Sequence, residues 1–72
     1  MKRFQIKEYG FGELSQMYYP DRSSRDAVRR FREELNVTRH LNSVLRNAGY
    51  KGNERILSRN QVRLIVECIG EP

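Results

Sequence analysis

Three arginines, Arg25, Arg29 and Arg32, recur at i, i+4 and i+7, the spacing that puts side chains on one face of an α-helix. A guanidinium presents a planar fork of five donors that matches phosphate oxygens and guanine edges. The chemistry on offer is therefore nucleic-acid recognition. Arg25 and Arg29 would contact bases or phosphates, and Arg32 and the preceding Arg22 would contact phosphates. Ser23 and Ser24 add hydroxyls, and free amides at the start of a helix attract the same anion. Asp26, Glu33 and Glu34 lie on or near the same helix and repel phosphate. Asp26 and Arg30, at i, i+4, can neutralise each other. The same residues also describe the solvated outer face of an ordinary amphipathic helix, and the sequence leaves both open.

Other residue types offer less. Tyr18, Tyr19 and Tyr50, with Tyr9, could anchor a protein interface or stack on bases. Equally, each can sit in a core with its hydroxyl reaching water; Tyr19 is expected to be the most exposed. His40 and Cys68 are the one pair that hints at nucleophilic catalysis, and neither a third orienting group nor an oxyanion loop accompanies them. The chain is expected not to be an enzyme. With one Cys and one His, an internal disulfide and a four-ligand Cys/His zinc site within one chain are excluded, and no cofactor is expected. Gly10-Phe11-Gly12 and Lys51-Gly52-Asn53 lack the spacing of a phosphate-cradling loop and read as turns. Lys51 and Arg55 could act as a wing against a nucleic-acid backbone, but only one strand is legible there.

The arginine stripe belongs to Ser24–Leu35, whose Ala27, Val28, Phe31 and Leu35 form an apolar stripe of helical period. Ser23 or Ser24 is the expected N-cap, with Asp26 in the first turn favourable to the helix dipole. A short helix over about 11–18 precedes it, with Phe11, Leu14, Met17 and Tyr18 on one face. Pro20 limits that helix. Order and rough lengths match helix-turn-helix, with helix 24–35 in the major groove. From Leu14 to Val28 is 14 positions, about three more than a tight helix-turn-helix allows, and the turn has no glycine.

A third helix is expected over about Val37–Ala48, capped by Asn36, with Val37, Leu41, Val44, Leu45 and Ala48 inward and Gly49 as the left-handed residue after its end. Ser58 and Gln61 have capping-box form for a last helix with Val62, Ile65, Val66 and Ile69 on its apolar face. Alternation of Phe4 and Ile6 predicts a short strand over about 3–8, paired with a second at Glu54–Leu57. The expected fold is mainly α: a small bundle of about four helices, helix-turn-helix-like, with a minor two-stranded sheet, in a single domain spanning 1–72.

Length and charge agree with that scale. A chain of 72 residues buries only roughly 60% of its unfolded surface, so dimerisation is one route to further burial. Net charge is +5 with eleven of fourteen bases being Arg, and the pI is about 9.9. The charge is not concentrated: residues 20–40 hold six Arg and four acids, net +2, leaving eight bases and five acids, net +3, elsewhere. No stretch approaches 18 apolar residues, and the N-terminus has no apolar run of signal-peptide length. A cytoplasmic location is the expectation.

Tyr9-Gly10, Glu13-Leu14 and Met17-Tyr18-Tyr19-Pro20 at one end, and Leu57-Ser58-Arg59-Asn60-Gln61-Val62, Ile65-Val66 and Ile69-Gly70-Glu71-Pro72 at the other, resemble a family of short proteins from gut Bacteroides and relatives. That family is a domain of unknown function. The likeness covers nearly the whole chain. The middle departs from the family's pattern, which has a tryptophan near Phe31 and often a proline at the place of Val37. The resemblance implies a small, mainly helical domain and carries over no catalytic or binding residue. Function is therefore argued from the residues: a non-enzymatic module that binds double-stranded DNA in a regulatory role, or alternatively a protein-interaction module, homodimeric or with another protein, using the tyrosines and outer helix faces.

Overall fold

The computed structural model describes residues 4–52 and 54–72. Strand β1 (Tyr9–Gly10) leads directly into helix α1 (Phe11–Tyr18). Helices α2 (Ser24–Val37) and α3 (Arg39–Asn47) follow, then strand β2 (Ile56–Leu57) and helix α4 (Arg59–Ile69). The strands pair antiparallel, Tyr9 with Leu57 and Gly10 with Ile56. The mainly helical bundle with a minor sheet is therefore present, its first strand lying later than the alternation predicted and its second within the expected Glu54–Leu57. Residues 4–8 are not a strand, and Arg3 lies outside the described residues. Phe4 stacks on the Tyr9 ring with centroids 5.3 Å apart, and the Tyr9 hydroxyl donates to the Gln5 carbonyl at 2.9 Å. The apolar side chains at Phe4 and Ile6 pack on the core, which produces the same alternation without a ladder. Within the second expected strand only Ile56–Leu57 pair, Leu57 buried and Ile56 62% exposed.

Helices α2 and α4 start where their capping chemistry sits. The Ser23 hydroxyl accepts from the Asp26 amide at 3.3 Å to begin α2. At α4, Ser58 and Gln61 exchange the two bonds of a capping box: Gln61 N–H to Ser58 Oγ at 3.2 Å, and Ser58 N–H to Gln61 Oε1 at 3.0 Å. Helix α1 stops at Tyr19, whose φ of −130° and ψ of 68° are non-helical, as the following proline requires. The junction of α2 and α3 differs from expectation. Asn36 and Val37 continue α2, and Thr38, extended at φ −81° and ψ 92°, makes the break. Asn36 is thus not a cap; its side-chain oxygen accepts from the Asn42 amide at 3.3 Å. Val37 falls beyond the last inward position, Leu35, and stands 67% exposed.

The core is one cluster gathered around α2. Ala27, Phe31 and Leu35 from α2 are fully buried with Leu14, Leu41, Leu45, Leu57, Val62 and Ile65. The Phe11 and Tyr18 rings flank Phe31, each with its centroid 5.2 Å away, an arrangement worth about 0.5–1.5 kcal/mol per pair beyond area burial. Met17, expected inward on α1, is turned to solvent, and Ser15 takes the buried place. Its hydroxyl donates to the Phe11 carbonyl at 2.6 Å, so the buried Ser15 donor is satisfied.

Candidate nucleic-acid interface

The connection between α1 and α2 is held by a side chain where sequence patterns favour a glycine. The Gln16 amide donates to the Arg22 carbonyl at 2.6 Å and to the Tyr19 carbonyl at 3.3 Å. Its Oε1 accepts from the Ser24 hydroxyl at 3.1 Å. Three bonds from one amide fix the path of residues 19–24 and hence the start of α2 against the end of α1. Sequence reasoning missed Gln16, because an amide at a half-buried helix position gives no periodic signal. The Ser24 hydroxyl, exposed, is directed to Gln16 within the turn. Arg22 is exposed in the same turn.

Along the outer face of α2, Arg25, Val28, Arg29, Arg32, Glu33, Asn36 and Val37 line an open groove of about 680 Å³. All three arginines of the stripe are brought together there, and a carboxylate shares the groove with them. Their surroundings differ. Arg25 is exposed. Arg29 donates to Asp26 at 3.1 Å, so Asp26 pairs one residue earlier than the Arg30 partner expected. Arg30 instead approaches Glu33 at 4.0 Å. Both are exposed i, i+3 pairs, each worth only a few tenths of a kcal/mol and easily exchanged for a ligand anion. Arg32 is half-buried, its guanidinium 4.9 Å from the Phe11 ring centroid. Its Nε and the nearby Tyr50 hydroxyl are both buried without a hydrogen-bond partner.

The tyrosines do not form an exposed cluster. Tyr50, expected as an interface residue, is 2% exposed. It follows the end of α3, where Gly49 at φ 91° lets the Tyr50 amide reach the Leu45 carbonyl at 2.9 Å and the Gly49 amide reach Arg46 at 3.1 Å. These are the two bonds of a Schellman motif, and the residue after it packs inward. Burial, with Glu54 nearby, raises the Tyr50 pKa, against the pull of Arg32 and Arg46. Tyr18 and Tyr19 are half-buried and packed against the core, so Tyr19 is less open than expected. The Tyr18 hydroxyl donates to the Gly70 carbonyl at 2.5 Å, and burial, helped by Glu71, pushes its pKa up to about 12.

His40 on α3 and Cys68 on α4 are both exposed. Among the described residues no three metal-ligating side chains of His, Cys, Asp or Glu type come together. None of the described helices is long and apolar enough to cross a membrane.

A family model matches residues 5–72. The chain belongs to that family, a domain of unknown function, DUF4248. Membership agrees with the likeness carried by the two ends of the sequence, the Tyr9–Pro20 and Leu57–Pro72 segments. These segments are the ones that hold the sheet and the first and last helices. No significant match is found among curated proteins or among solved structures.

Proposed function

We propose that this protein is a non-enzymatic DNA-binding module that acts in a regulatory role through α2. The observation that carries this reading is the gathering of Arg25, Arg29 and Arg32 along one open groove on the outer face of α2. This is the second helix of a pair whose connection is braced by Gln16. In such a pair the second helix enters the major groove and the first crosses the backbone. Arg25, exposed, and Arg29, exposed and paired with the exchangeable Asp26 carboxylate, supply mobile positive charge. Arg22, at the start of α2, meets the flanking phosphate. Arg32, stacked on Phe11, supplies a guanidinium whose direction is set before the ligand arrives. The net positive charge of the chain favours encounter with a polyanion.

A second reading is a protein-interaction surface along the same groove, with a second copy as the simplest partner. It is favoured by Val37, 67% exposed at the end of the groove, with Val28 in its lining.

The test is fluorescence anisotropy on labelled duplex DNA at several salt concentrations. With four to six phosphate contacts, affinity falls by roughly two to three orders of magnitude between 50 and 200 mM salt. The Arg25→Ala/Arg29→Ala/Arg32→Ala variant loses most of the binding while keeping its helical circular dichroism. If the unsubstituted protein leaves the duplex free at 50 mM salt, DNA binding is ruled out. Sedimentation of a concentration-dependent dimer would then assign the groove to self-association.

A further inference from the structure

The turn between α3 and β2 is fixed to the bundle at several points. Tyr50 is buried at its start. The Glu54 carboxylate accepts from the Lys51 amide at 2.6 Å and from the Gly52 amide at 2.9 Å, and Gly52 takes φ 99°, a region open mainly to glycine. The Arg55 carbonyl accepts from the Phe11 amide, the first of α1, at 2.7 Å. Beyond it Leu57 pairs with Tyr9. The backbone at Arg55 is therefore tied to the beginning of α1, and the Lys51 and Arg55 side chains are both exposed.

Arg32 links this turn to the α2 groove. It lines the groove, covers the Phe11 ring, and its charge opposes the rise of the Tyr50 pKa. The turn touches both of those residues: Tyr50 begins it, and the Phe11 amide is bonded to Arg55. Arg55 is thus bonded through its carbonyl to Phe11, the residue whose ring Arg32 covers. The negative charge of Glu54, the nearest acid in sequence, is spread over two backbone amides of the turn. The alternation of the sequence shows one strand here. The structure supplies the missing support from the other end of the chain, through β1.

We propose that Lys51 and Arg55 extend the arginine groove of α2 into a two-element surface, and that they contact the phosphate backbone of the same DNA duplex. This rests on the DNA-binding reading above. Two contacts of this kind position the duplex without reading its sequence.

The test compares Lys51→Ala/Arg55→Ala with the unsubstituted protein on one labelled duplex from 50 to 200 mM salt. Losing two phosphate contacts makes the slope of log affinity against log salt shallower by about 1.8, so the affinity lost over that salt range shrinks by about 10-fold. Lys51→Arg/Arg55→Lys keeps the slope. Arg39→Ala/Arg63→Ala removes the same charge from exposed sites on α3 and α4 and moves the slope less. Helical circular dichroism confirms that each variant folds. If Lys51→Ala/Arg55→Ala binds with the unsubstituted slope while Arg25→Ala/Arg29→Ala weakens binding, the turn is not a contact and the α2 reading stands. If the control pair shifts the slope equally, net charge alone is acting and the inference is overturned. If the unsubstituted protein does not bind duplex at 50 mM salt, both fall together.

Discussion

Arg32 differs from its two neighbours in the stripe because an aromatic ring holds it. Arg25 and Arg29 lose rotamer freedom when a ligand orders them, whereas Arg32 has part of that loss already made against Phe11. Tyr18 is the other residue whose environment makes a measurable difference. Its pKa rises to about 12, chiefly through burial and then through Glu71. An unfolded tyrosine releases its proton near pH 10, while the folded one keeps it to about pH 12. Between these values the unfolded chain binds fewer protons, so stability falls as pH rises. The stability tied to Tyr18 is complete below pH 10 and is lost through the folded pKa. Thermal melts followed by circular dichroism should show the midpoint dropping from pH 10 to 12, and Tyr18→Phe should flatten part of that drop. A residual slope remains from Tyr50, whose pKa is raised in the same direction. An unchanged alkaline slope in Tyr18→Phe would show that the hydroxyl is not held as described.

At the scale of elements, the start signals were plain in the chain and the stop between α2 and α3 was not. Ser23, Ser58 and Gln61 cap as their types require, because a cap is a local bond among residues three apart. The α2–α3 break depends on Thr38, which has no side-chain cap bond. What decides it is whether Leu35 and Leu41 can both reach the core, and both are fully buried. The end of α3 rests on Gly49. A Cβ at this position would meet nothing within 4 Å, so the cost of Gly49→Ala is conformational, from the positive φ of 91°. That substitution should destabilise by about 1–2 kcal/mol, and the melting temperature should fall by roughly 4–8 °C per kcal/mol. A melting temperature equal to that of the parent would mean that the Schellman turn is not what sends Tyr50 inward.

For the whole molecule, stability is concentrated in one small core. A chain of 72 residues has a total stability of roughly 4–11 kcal/mol at about 0.05–0.15 kcal/mol per residue. Phe31 is fully buried between the Phe11 and Tyr18 rings. Phe31→Ala should cost about 3–5 kcal/mol, a large share of that total. Urea titration should show the midpoint falling steeply, and the variant should be substantially unfolded at 37 °C if the parent lies at the low end. A loss below 1 kcal/mol would move the centre of the core away from α2. The distribution of charge also belongs to this scale. The bases are scattered along the chain, and only folding decides which of them share a surface.

The sequence by itself determined the helices, most of their inward residues and the family. Period, capping residues and glycine positions act within a few residues of one another, so they are readable without a partner. It also placed Arg25, Arg29 and Arg32 on one face of α2, because helical spacing is enough for that. The tertiary structure alone decided which tyrosines are buried, that Met17 yields its inward place to Ser15, and that Gln16 braces the turn. It also decided that the sheet is built from Tyr9–Gly10 and Ile56–Leu57. These depend on contacts between segments far apart in the chain, whose geometry no local pattern encodes. The bond between the Arg55 carbonyl and the start of α1 belongs with them, since it arises only because the first strand of the chain pairs with the last.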